Sequence, residues 1–523
     1  MTLPNLLTNK SAASLAHNIV CAEQVRRFES EAAMVVGCSL YQLMERAGEA
    51  AFDVLESHWP NTKNILVIAG NGNNAGDGNN AGDGYVIASL ALSKGAQVIV
   101  ACEDPIRVLG GDAQRAQSEW LAAGGELVSF ADMEFEGVDL VVDALLGTGV
   151  AGPVKESFQN IILAINDKNL PVLSLDLPSG MNADTGTPLP VCINADITIT
   201  FVAIKAGLVT GKAKSLCGIL KFNDLGIGPS FFELATLQGK TVNWNRLQPL
   251  TPRLPHANKG HFGKLLCIGG NVGMPGAIRL SAEAALRTGT GLVKVFCHES
   301  SAALVGATRS ELMVTSSDLQ EALDWCTSIV IGPGLGRDTW ATKQFQTVIA
   351  HLEQQHKPLV IDADGLNLLA FSDEYTKNVV RELPHCILTP HPGEACRLLN
   401  QSIKDVEADR YTSCQTLALS FKATSLLKGA GTVICTNSHK VDDRQLFWVC
   451  DGGNPGMATA GMGDLLTGII GSFSAQGIPP QQATIYGVCA HAEAADKVAR
   501  EYGERGMIAS DLLPALRATI NSL

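Results

Sequence analysis

Short runs of β-branched and aliphatic residues alternate with helical patterns through the first half of the chain. Helical patterns at residues 22–33 and 40–57 come first, and others at 85–94 and 112–123 separate the apolar runs. Continuous apolar runs of this length are typical of strands buried in a parallel sheet. They lie at residues 65–68, 98–100, 140–142, 172–175 and 197–200. The alternation predicts a doubly wound sheet with helices on both faces.

A stretch with little periodicity follows, between residues 224 and 255, and four prolines punctuate it. We interpret it as a linker. A second α/β series then begins, with helical patterns at 276–287 and 464–474. Its apolar runs lie at residues 265–268, 292–296, 329–331, 359–361, 387–388, 425–427 and 433–435. The sequence therefore predicts two α/β domains, residues 1–240 and 241–523, which share an architecture without a fixed-period repeat.

Composition narrows the classes of partner and compartment. The 523 residues carry a net charge of −13, which argues against duplex nucleic acid and anionic membranes as main partners. The 14 cysteines include no Cys-x-x-Cys pair, and those in apolar runs, such as Cys267 and Cys435, are typical of core residues in a reducing compartment. We find no signal peptide and no apolar stretch long enough to span a membrane. A cytoplasmic protein is therefore expected.

Three predicted strands of the first half end in polar, glycine-rich segments: residues 70–78, 143–149 and 176–180. Ligands bind at the carboxyl ends of strands in open parallel sheets. Glycine lets backbone N–H groups face a phosphate, and Asn, Asp and Ser oxygens suit a hard cation. Ordinary turns would use the same residue types. Three such segments at successive strand ends favour a binding site.

Several strings resemble the NAD(P)H-hydrate epimerase domain over roughly residues 20–235. They are Leu-Met-Glu-Arg-Ala-Gly at 43–48, Asn-Asn-x-Gly-Asp-Gly, Gly-Thr-Gly at 147–149, Asp-x-Pro-Ser-Gly at 176–180 and Lys-x-Gly-Leu at 205–208. The resemblance implies a Rossmann-like domain that binds potassium and the hydrated dinucleotide. The implied potassium ligands are Asn80 or Asn74, Asp143 and Ser179. The implied substrate contacts are Asn79, Asn80, Gly82, Asp83, Gly147, Thr148, Gly149, Val150, Ala151, Gly152, Pro153 and Asp176.

Epimerisation of such a hydrate needs an acid and base near one ring carbon. The ring nitrogen can expel hydroxide from C6, and water can return to the planar iminium from the other face. Asp176 is our first candidate for the catalytic carboxyl group, and Lys205 is a weaker electrostatic candidate. A surface lysine at position 205 is an equally good interpretation from sequence alone.

The string Asn-Asn-Ala-Gly-Asp-Gly occurs twice in tandem, at residues 73–78 and 79–84, where the family has one copy. A longer loop between a strand and its helix costs little. The second copy runs directly into the predicted helix, so we expect Asn80 and Asp83 to be the functional pair. The opposite register would use Asn74 and Asp77 instead.

In the second half, Gly461 and Gly463 flank the start of an apolar helix and are followed directly by Asp464. Such a turn is an anion hole for a transferring phosphoryl group, and Asp464 beside it can take a proton from an attacking hydroxyl. A helix-capping Asp is compatible with this arrangement, but capping does not explain the glycines.

This Gly-x-Gly-Asp arrangement resembles the ribokinase-like superfamily. Further strings at residues 259–263, 332–336, 362–367, 389–394 and 428–432 resemble ADP-dependent NAD(P)H-hydrate dehydratase across about residues 245–523. The resemblance implies Asp464 as catalytic base and magnesium on the phosphates of ADP. The implied contacts are Ala277, Gly334, His391 and Asp464 for the hydrate, and Lys428, Gly429, Ala430, Gly431, Thr432 and Gly463 for ADP.

The two resemblances together imply a bifunctional repair enzyme. One domain would interconvert R and S hydrates of NADH and NADPH, and the other would dehydrate the S form with ADP. The expected partners are these small molecules, in a homo-oligomer, without nucleic acid or membrane. Two alternatives stay open at this point: a vitamin- or sugar-type kinase with a dinucleotide-sensing N-terminal domain, and an N-terminal domain that only binds or scaffolds.

Overall fold

The structure, a computed structural model, describes residues 6–7, 14–70, 78–150, 152–307, 309–437 and 446–522. The chain divides into two compact units. One runs from Ser14 to Lys240, and the other comprises Thr241–Leu523 with Met1–Ala13. Within the second unit Leu7 bridges Leu247, and Gln248 donates its backbone N–H to the carbonyl of Leu6 at 2.8 Å.

The first unit is built on a seven-stranded, wholly parallel sheet in the order β4-β3-β2-β5-β6-β7-β9. Its elements in chain order are β1 (Asn18–Val20), α1 (Ala22–Val35), α2 (Leu40–His58), β2 (Asn64–Ala69), α3 (Gly78–Ser93), β3 (Gln97–Cys102), α4 (Gly111–Ala122), β4 (Glu126–Ser129), β5 (Leu140–Ala144), α5 (Glu156–Lys168), β6 (Val172–Leu175), β7 (Ile197–Phe201), β8 (Ile204–Lys205), α6 (Ala213–Leu216), β9 (Ile219–Asn223), α7 (Gly228–Leu234) and β10 (Gly239–Val242). Short β1 pairs with β8 and with the start of β10.

The second unit has seven parallel strands in the order β13-β12-β11-β14-β15-β16-β17, extended by antiparallel β18 and β19. Its elements are β11 (Lys264–Ile268), α8 (Pro275–Thr288), β12 (Leu292–Phe296), α9 (Glu299–Gly306), β13 (Met313–Thr315), α10 (Leu319–Trp325), β14 (Ser328–Ile331), α11 (Thr339–Gln354), β15 (Leu359–Ile361), α12 (Ala363–Phe371), α13 (Glu374–Glu382), β16 (Cys386–Leu388), α14 (Pro392–Leu399), α15 (Ile403–Ala408), α16 (Arg410–Phe421), β17 (Thr424–Leu427), β18 (Val433–Cys435), β19 (Phe447–Cys450), α17 (Met462–Ala475), α18 (Pro480–Tyr502) and α19 (Leu512–Ile520).

The predicted fold class, two α/β domains with parallel sheets, is confirmed. Every apolar run named as a strand forms one, because a continuous run of aliphatic side chains can be buried on both faces of such a sheet. Cys267 and Cys435 are buried and free, as expected. Among the described residues, no helix combines the length and apolar character needed to cross a membrane.

The linker prediction is wrong for residues 228–242, which form α7 and β10. Pro229 lies in the first turn of α7, where proline is compatible with a helix because the missing N–H needs no partner. Phe231 is fully buried in the core of the first unit, and Trp244 is almost fully buried in the core of the second. Part of the expected linker therefore belongs to folded units.

Candidate functional sites

Asp143 lies at the carboxyl end of β5, next to the ends of β2 and β6, and its side chain is fully buried. Ser179 donates its hydroxyl to Oδ1 at 2.5 Å and its backbone N–H to Oδ2 at 2.8 Å. Ser174 donates to Oδ2 at 2.8 Å. Burial raises the pKa of Asp143, and the hydrogen bonds from Ser179 oppose that shift. The strand order thus brings together two predicted potassium ligands, Asp143 and Ser179.

Asn80, in the first turn of α3, reaches the same strand-end loop. Its side-chain N–H donates to the carbonyl of Leu146 at 3.0 Å. Its Oδ1 atom is buried and has no hydrogen-bond donor among the described residues. Asp143 contributes a buried carboxyl group, Ser179 a hydroxyl and Asn80 an unpaired amide oxygen. Oxygen donors of this kind suit a hard cation. Asn74, the alternative ligand, lies outside the described residues.

A pocket opens at these strand ends. It brings together predicted substrate contacts on α3, on the loop after β5 and after β6. The lining residues are Val25, Arg26, Glu29, Asn80, Asp83, Gly147, Thr148, Asp176, Phe201 and Lys205. The α3 residues that line the pocket, Asn80 and Asp83, come from the second copy of the duplicated string.

Asp176 and Lys205 form an ion pair in the wall of this pocket. Lys205 Nζ donates to Asp176 Oδ1, to the hydroxyl of Thr200 at 3.0 Å and to the carbonyl of Phe201 at 2.8 Å. Asp176 has a φ of 64°, an uncommon backbone conformation outside glycine. Lys205 is 1 % exposed, so the surface-lysine interpretation is wrong, since this lysine is buried by its partners.

Two more carboxyl groups line the pocket. Asp83 is buried, and its pKa is raised well above the ordinary value by burial, and further by the charges of Glu29 and Asp176. Glu29 was not anticipated from the sequence. The sequence does show that Glu29 is three and four residues after Arg26 and Val25, a spacing that places all three side chains on one face of α1.

The remaining predicted substrate contacts that the structure describes in this unit are not among the residues lining the pocket. Gly82 packs against α2, where an added Cβ would lie 2.3 Å from Met44 Cε. Gly152 and Pro153 are exposed, and Gly149 and Val150 are half-buried in the preceding loop. Ala151 and the side chain of Asn79 lie outside what the structure describes.

In the second unit, Lys428 lies at the centre of a charged cluster at the carboxyl ends of β15 and β17. Its Nζ is 2.7 Å from Asp362 Oδ1 and 3.9 Å from Glu394 Oε2. Thr467, on α17, donates its hydroxyl to Asp362 Oδ2 at 2.5 Å. Burial lowers the pKa of Lys428, but Asp362 and Glu394 outweigh burial and raise it. This lysine therefore stays charged.

Asp464 lies in the first turn of α17, directly after Gly461 and Gly463. A Cβ on Gly463 would lie 3.2 Å from Lys428 Nζ, so this glycine leaves the lysine room beside the helix start. Burial, together with the charge of Asp362, raises the pKa of Asp464 to about 6, and the charge of Lys428 opposes that shift. A carboxyl group with that pKa, at the positive end of a helix, suits a general base near neutral pH.

The predicted hydrate contacts Ala277 and Gly334 are neighbours: a Cβ on Gly334 would lie 3.2 Å from Ala277 Cβ. One turn after Ala277 on α8, Ser281 donates its hydroxyl to the backbone carbonyl of Asp464 at 2.6 Å. This hydrogen bond connects α8 to the start of α17. The structure therefore places Ala277 and Gly334 next to each other, with Ala277 on the helix that Ser281 joins to the start of α17.

His391 is the N-cap of α14. Its Nδ1 accepts the backbone N–H of Gly393 at 2.9 Å, and its own backbone N–H donates to Glu394 at 2.9 Å. Burial and the charge of Lys428 lower the pKa of His391. Burial raises the pKa of Glu394 to about 7, and Lys428 opposes that shift. The His–Glu pair is thus a helix cap that faces the Lys428 cluster.

A buried arginine that could not be predicted from the sequence, Arg410, donates hydrogen bonds to the start of the predicted ADP segment, residues 428–432. Arg410 Nη2 donates to the carbonyls of Leu427 and Lys428, each at 3.1 Å. Thr432 donates its hydroxyl to the carbonyl of Gly429 at 3.0 Å, across the turn. Gly429, Ala430 and Gly431 form the turn between β17 and β18. Ala430 and Gly429 are exposed and available to a ligand.

Both halves of the chain match known protein families. One family model, described as NAD(P)H-hydrate dehydratase, matches residues 265–517, and another, described as YjeF-related protein N-terminus, matches residues 40–207. The bifunctional NAD(P)H-hydrate repair enzyme of Escherichia coli is 42% identical over 98% of this chain and 96% of its own length. That of Coxiella burnetii is 42% identical over 95% and 98%.

A solved structure, an ADP/ATP-dependent NAD(P)H-hydrate dehydratase from Bacillus subtilis co-crystallised with ATP and Mg²⁺, is 25% identical. The match covers 52% of this chain and 93% of that chain, with a TM-score of 0.45.

Each of the two α/β units contains a parallel sheet and carries a polar site at the carboxyl ends of its strands. This is the architecture of a two-domain enzyme. The chain belongs to the bifunctional NAD(P)H-hydrate repair enzymes.

Proposed function

We propose that this chain repairs hydrated NADH and NADPH in two steps. The first unit interconverts the R and S hydrates, and the second dehydrates the S form with ADP, giving AMP and phosphate. The observation that carries the proposal is Asp464, a carboxyl group with a pKa of about 6 at the start of α17, next to Lys428. The kinase alternative has less support, because the relatives that match nearly the whole chain are named as repair enzymes.

In the proposed dehydratase, Asp464 takes the proton of the C6 hydroxyl as its oxygen attacks the β-phosphorus of ADP, and AMP leaves. Phosphate then departs from C6 with its bonding pair as the ring loses a proton from the neighbouring carbon, restoring the double bond. Transfer of the phosphoryl group turns a poor leaving group into a good one. Lys428 and the backbone N–H groups at Gly463 would balance the charge of the transferring group.

The substrate and nucleotide contacts expected from the sequence remain our assignments here. Ala277, Gly334 and His391 would hold the hydrate beside Asp464, and residues 428–432 with Gly463 would hold ADP. Magnesium, when bound, would neutralise the phosphates. The site fits a divalent cation because the carboxyl groups of Asp362 and Asp364 add negative charge around Asp464. The positive charge of Lys428 offsets part of it.

In the proposed epimerase, Asn80, Asp143 and Ser179 would hold potassium, whose charge would orient oxygen atoms of the substrate. Asp176, with its Oδ1 fixed by Lys205 and Thr200, would exchange a proton with the C6 oxygen. Gly147 and Thr148, which line the same pocket, would contact the dinucleotide. Asp83, buried and with a raised pKa, would offer the substrate a neutral hydrogen-bond donor.

We assign the two activities to residues 1–240 and 241–523. Each part contains its own sheet and a buried core, which supports independent folding; Leu7, from residues 1–240, adds to the core of the second unit. The experiment is to express both parts separately and measure circular dichroism and activity. An insoluble or unfolded C-terminal half would show that the boundary or the independence is wrong.

The free cysteines support work in a reducing compartment such as the cytoplasm. The homo-oligomer expected from the sequence stays a prediction, which light scattering checks.

The activity itself is tested with purified S hydrate, ADP and the full chain, with ATP in parallel. Appearance of the reduced nicotinamide absorbance only when nucleotide is present supports dehydration. Transfer of a phosphoryl group from the nucleotide to another small molecule, without formation of reduced dinucleotide, would favour the kinase alternative.

A further inference from the structure

Glu29 is the one carboxyl group of the epimerase pocket that the proposed function leaves unused. It lies on α1 with Val25 and Arg26, one helical turn earlier, and all three line the pocket. Arg26 donates its Nη1 to the carbonyl of Thr148 at 2.5 Å, which connects this face of α1 to the loop after β5. Glu29 therefore faces the pocket from a different element than Asp176, which follows β6.

Glu29 has no hydrogen-bond or ion-pair partner among the residues that the structure describes, although its side chain is half-buried. Lys205 also lines the pocket, but its Nζ is directed at Asp176, Thr200 and Phe201. Those three contacts use its three N–H donors. Glu29 is thus a carboxyl group without a direct hydrogen-bond or ion-pair partner, and burial of such a group favours its protonated form to higher pH.

The charges around the pocket also affect the pKa of Glu29. Burial raises the pKa of Glu29 to about 7, Lys205 lowers it and Asp176 raises it. Asp83 on α3, Asp176 after β6, Lys205 on β8 and Arg26 on α1 are the charged groups that line the pocket with it. Near neutral pH, Glu29 is therefore about half protonated beside an aspartate paired with a lysine.

Inversion at C6 needs two proton transfers on two faces of the ring. When the C6–O bond breaks, its electron pair leaves with oxygen, the lone pair of the ring nitrogen forms the C=N bond, and an acid supplies the proton that makes water. When water adds to the other face, the nitrogen regains its lone pair and a base takes the proton. Two carboxyl groups that share one proton satisfy both steps in both directions.

We propose that Glu29 is a catalytic residue of the epimerase, the acid–base partner of Asp176 across the C6 carbon. In one direction Glu29 donates the proton to the departing oxygen and Asp176 accepts one from the incoming water; in the other direction the roles exchange. The inference rests on the proposed epimerase function and adds a second catalytic group to it. A residue that only binds the dinucleotide would occupy the same wall without taking part in proton transfer.

The test compares E29Q and E29D with the wild-type full-length chain, starting from purified R hydrate and following the S hydrate by chromatography. E31Q is the matched control, because Glu31 is on the same helix and exposed. We expect E29Q to lower kcat by about 10²–10⁴, E29D to recover part of it and E31Q to change little. NADH serves as a binding probe, and its Kd is expected to change less than about twofold in E29Q.

Because one shared proton is required, wild-type kcat/KM is expected to fall above about pH 7 in both directions, and E29Q is expected to lose that limb. An unchanged kcat in E29Q, or a raised KM with unchanged kcat, would overturn the inference. If E29Q does not fold, as judged by circular dichroism, a wild-type profile that stays flat between pH 6 and 9 overturns it instead. A wild-type chain without epimerase activity would refute the proposed function itself.

Discussion

The ionisation of Asp464 predicts how dehydration depends on pH. A general base must be deprotonated, and burial with the charge of Asp362 raises the pKa of this carboxyl group to about 6. Dehydratase kcat/KM should therefore rise with pH and level off above the pKa, since this parameter reports ionisations of the free enzyme. The group works above its pKa and loses activity as pH falls through it.

The magnitude follows from the pKa. With a value of about 6, roughly nine-tenths of Asp464 is ionised at pH 7 and roughly one-tenth at pH 5. The expected loss of kcat/KM between these values is thus about tenfold. Removing the lysine charge in K428M should move the midpoint upward, because Lys428 now lowers the pKa of Asp464.

The assay measures initial rates of reduced dinucleotide formation from S hydrate and ADP between pH 5 and 8, with enzyme-free blanks at each pH. Samples held at pH 5 and returned to pH 7 control for acid denaturation. A profile that is flat between pH 5 and 7, or a K428M midpoint that moves downward, would refute the reasoning about Asp464.

Three further predictions concern single side chains. D464N should lose dehydration by about 10²–10⁴ and keep epimerisation; near-normal dehydratase turnover would remove Asp464 from the mechanism. N80A should lose potassium-dependent epimerisation while N74A keeps it, because Asn80 lies in the pocket wall; the reverse pattern would show that the first copy of the duplicated string is functional. S179A should lower the free energy of unfolding by about 1–3 kcal/mol, since it removes a hydrogen bond from buried Asp143; thermal denaturation that matches the exposed control S93A would contradict this.

The strands of both sheets could be predicted because their signal is local. The run at residues 172–175 coincides with β6 and that at 292–296 with β12. Two strands that could not be predicted, β4 and β13, lie at the edges of their sheets. Their side chains are only partly buried, so these strands do not need a continuous apolar run. Edge strands give a weaker hydrophobic pattern than central ones.

The parts of the sites that could be predicted were those carried by contiguous strings. Asp143, Ser179 and Asn80 belong to such strings, and the parallel strand order brings them together. Glu29 and Arg410 could not be found this way, because each lies on a helix with ordinary charged neighbours and acquires its surroundings only through tertiary packing. Long-range contacts of that kind leave no local pattern.

The central claim is that one chain carries both repair steps. The most direct measurement supplies pure R hydrate, potassium, magnesium and ADP to the full chain and to D464N, and follows R hydrate, S hydrate and reduced dinucleotide together. The account predicts that the full chain converts all R hydrate to reduced dinucleotide, one AMP for each, and that D464N stops at a mixture of R and S hydrates. Reduced dinucleotide formed without nucleotide, or S hydrate that never appears with D464N, would contradict it.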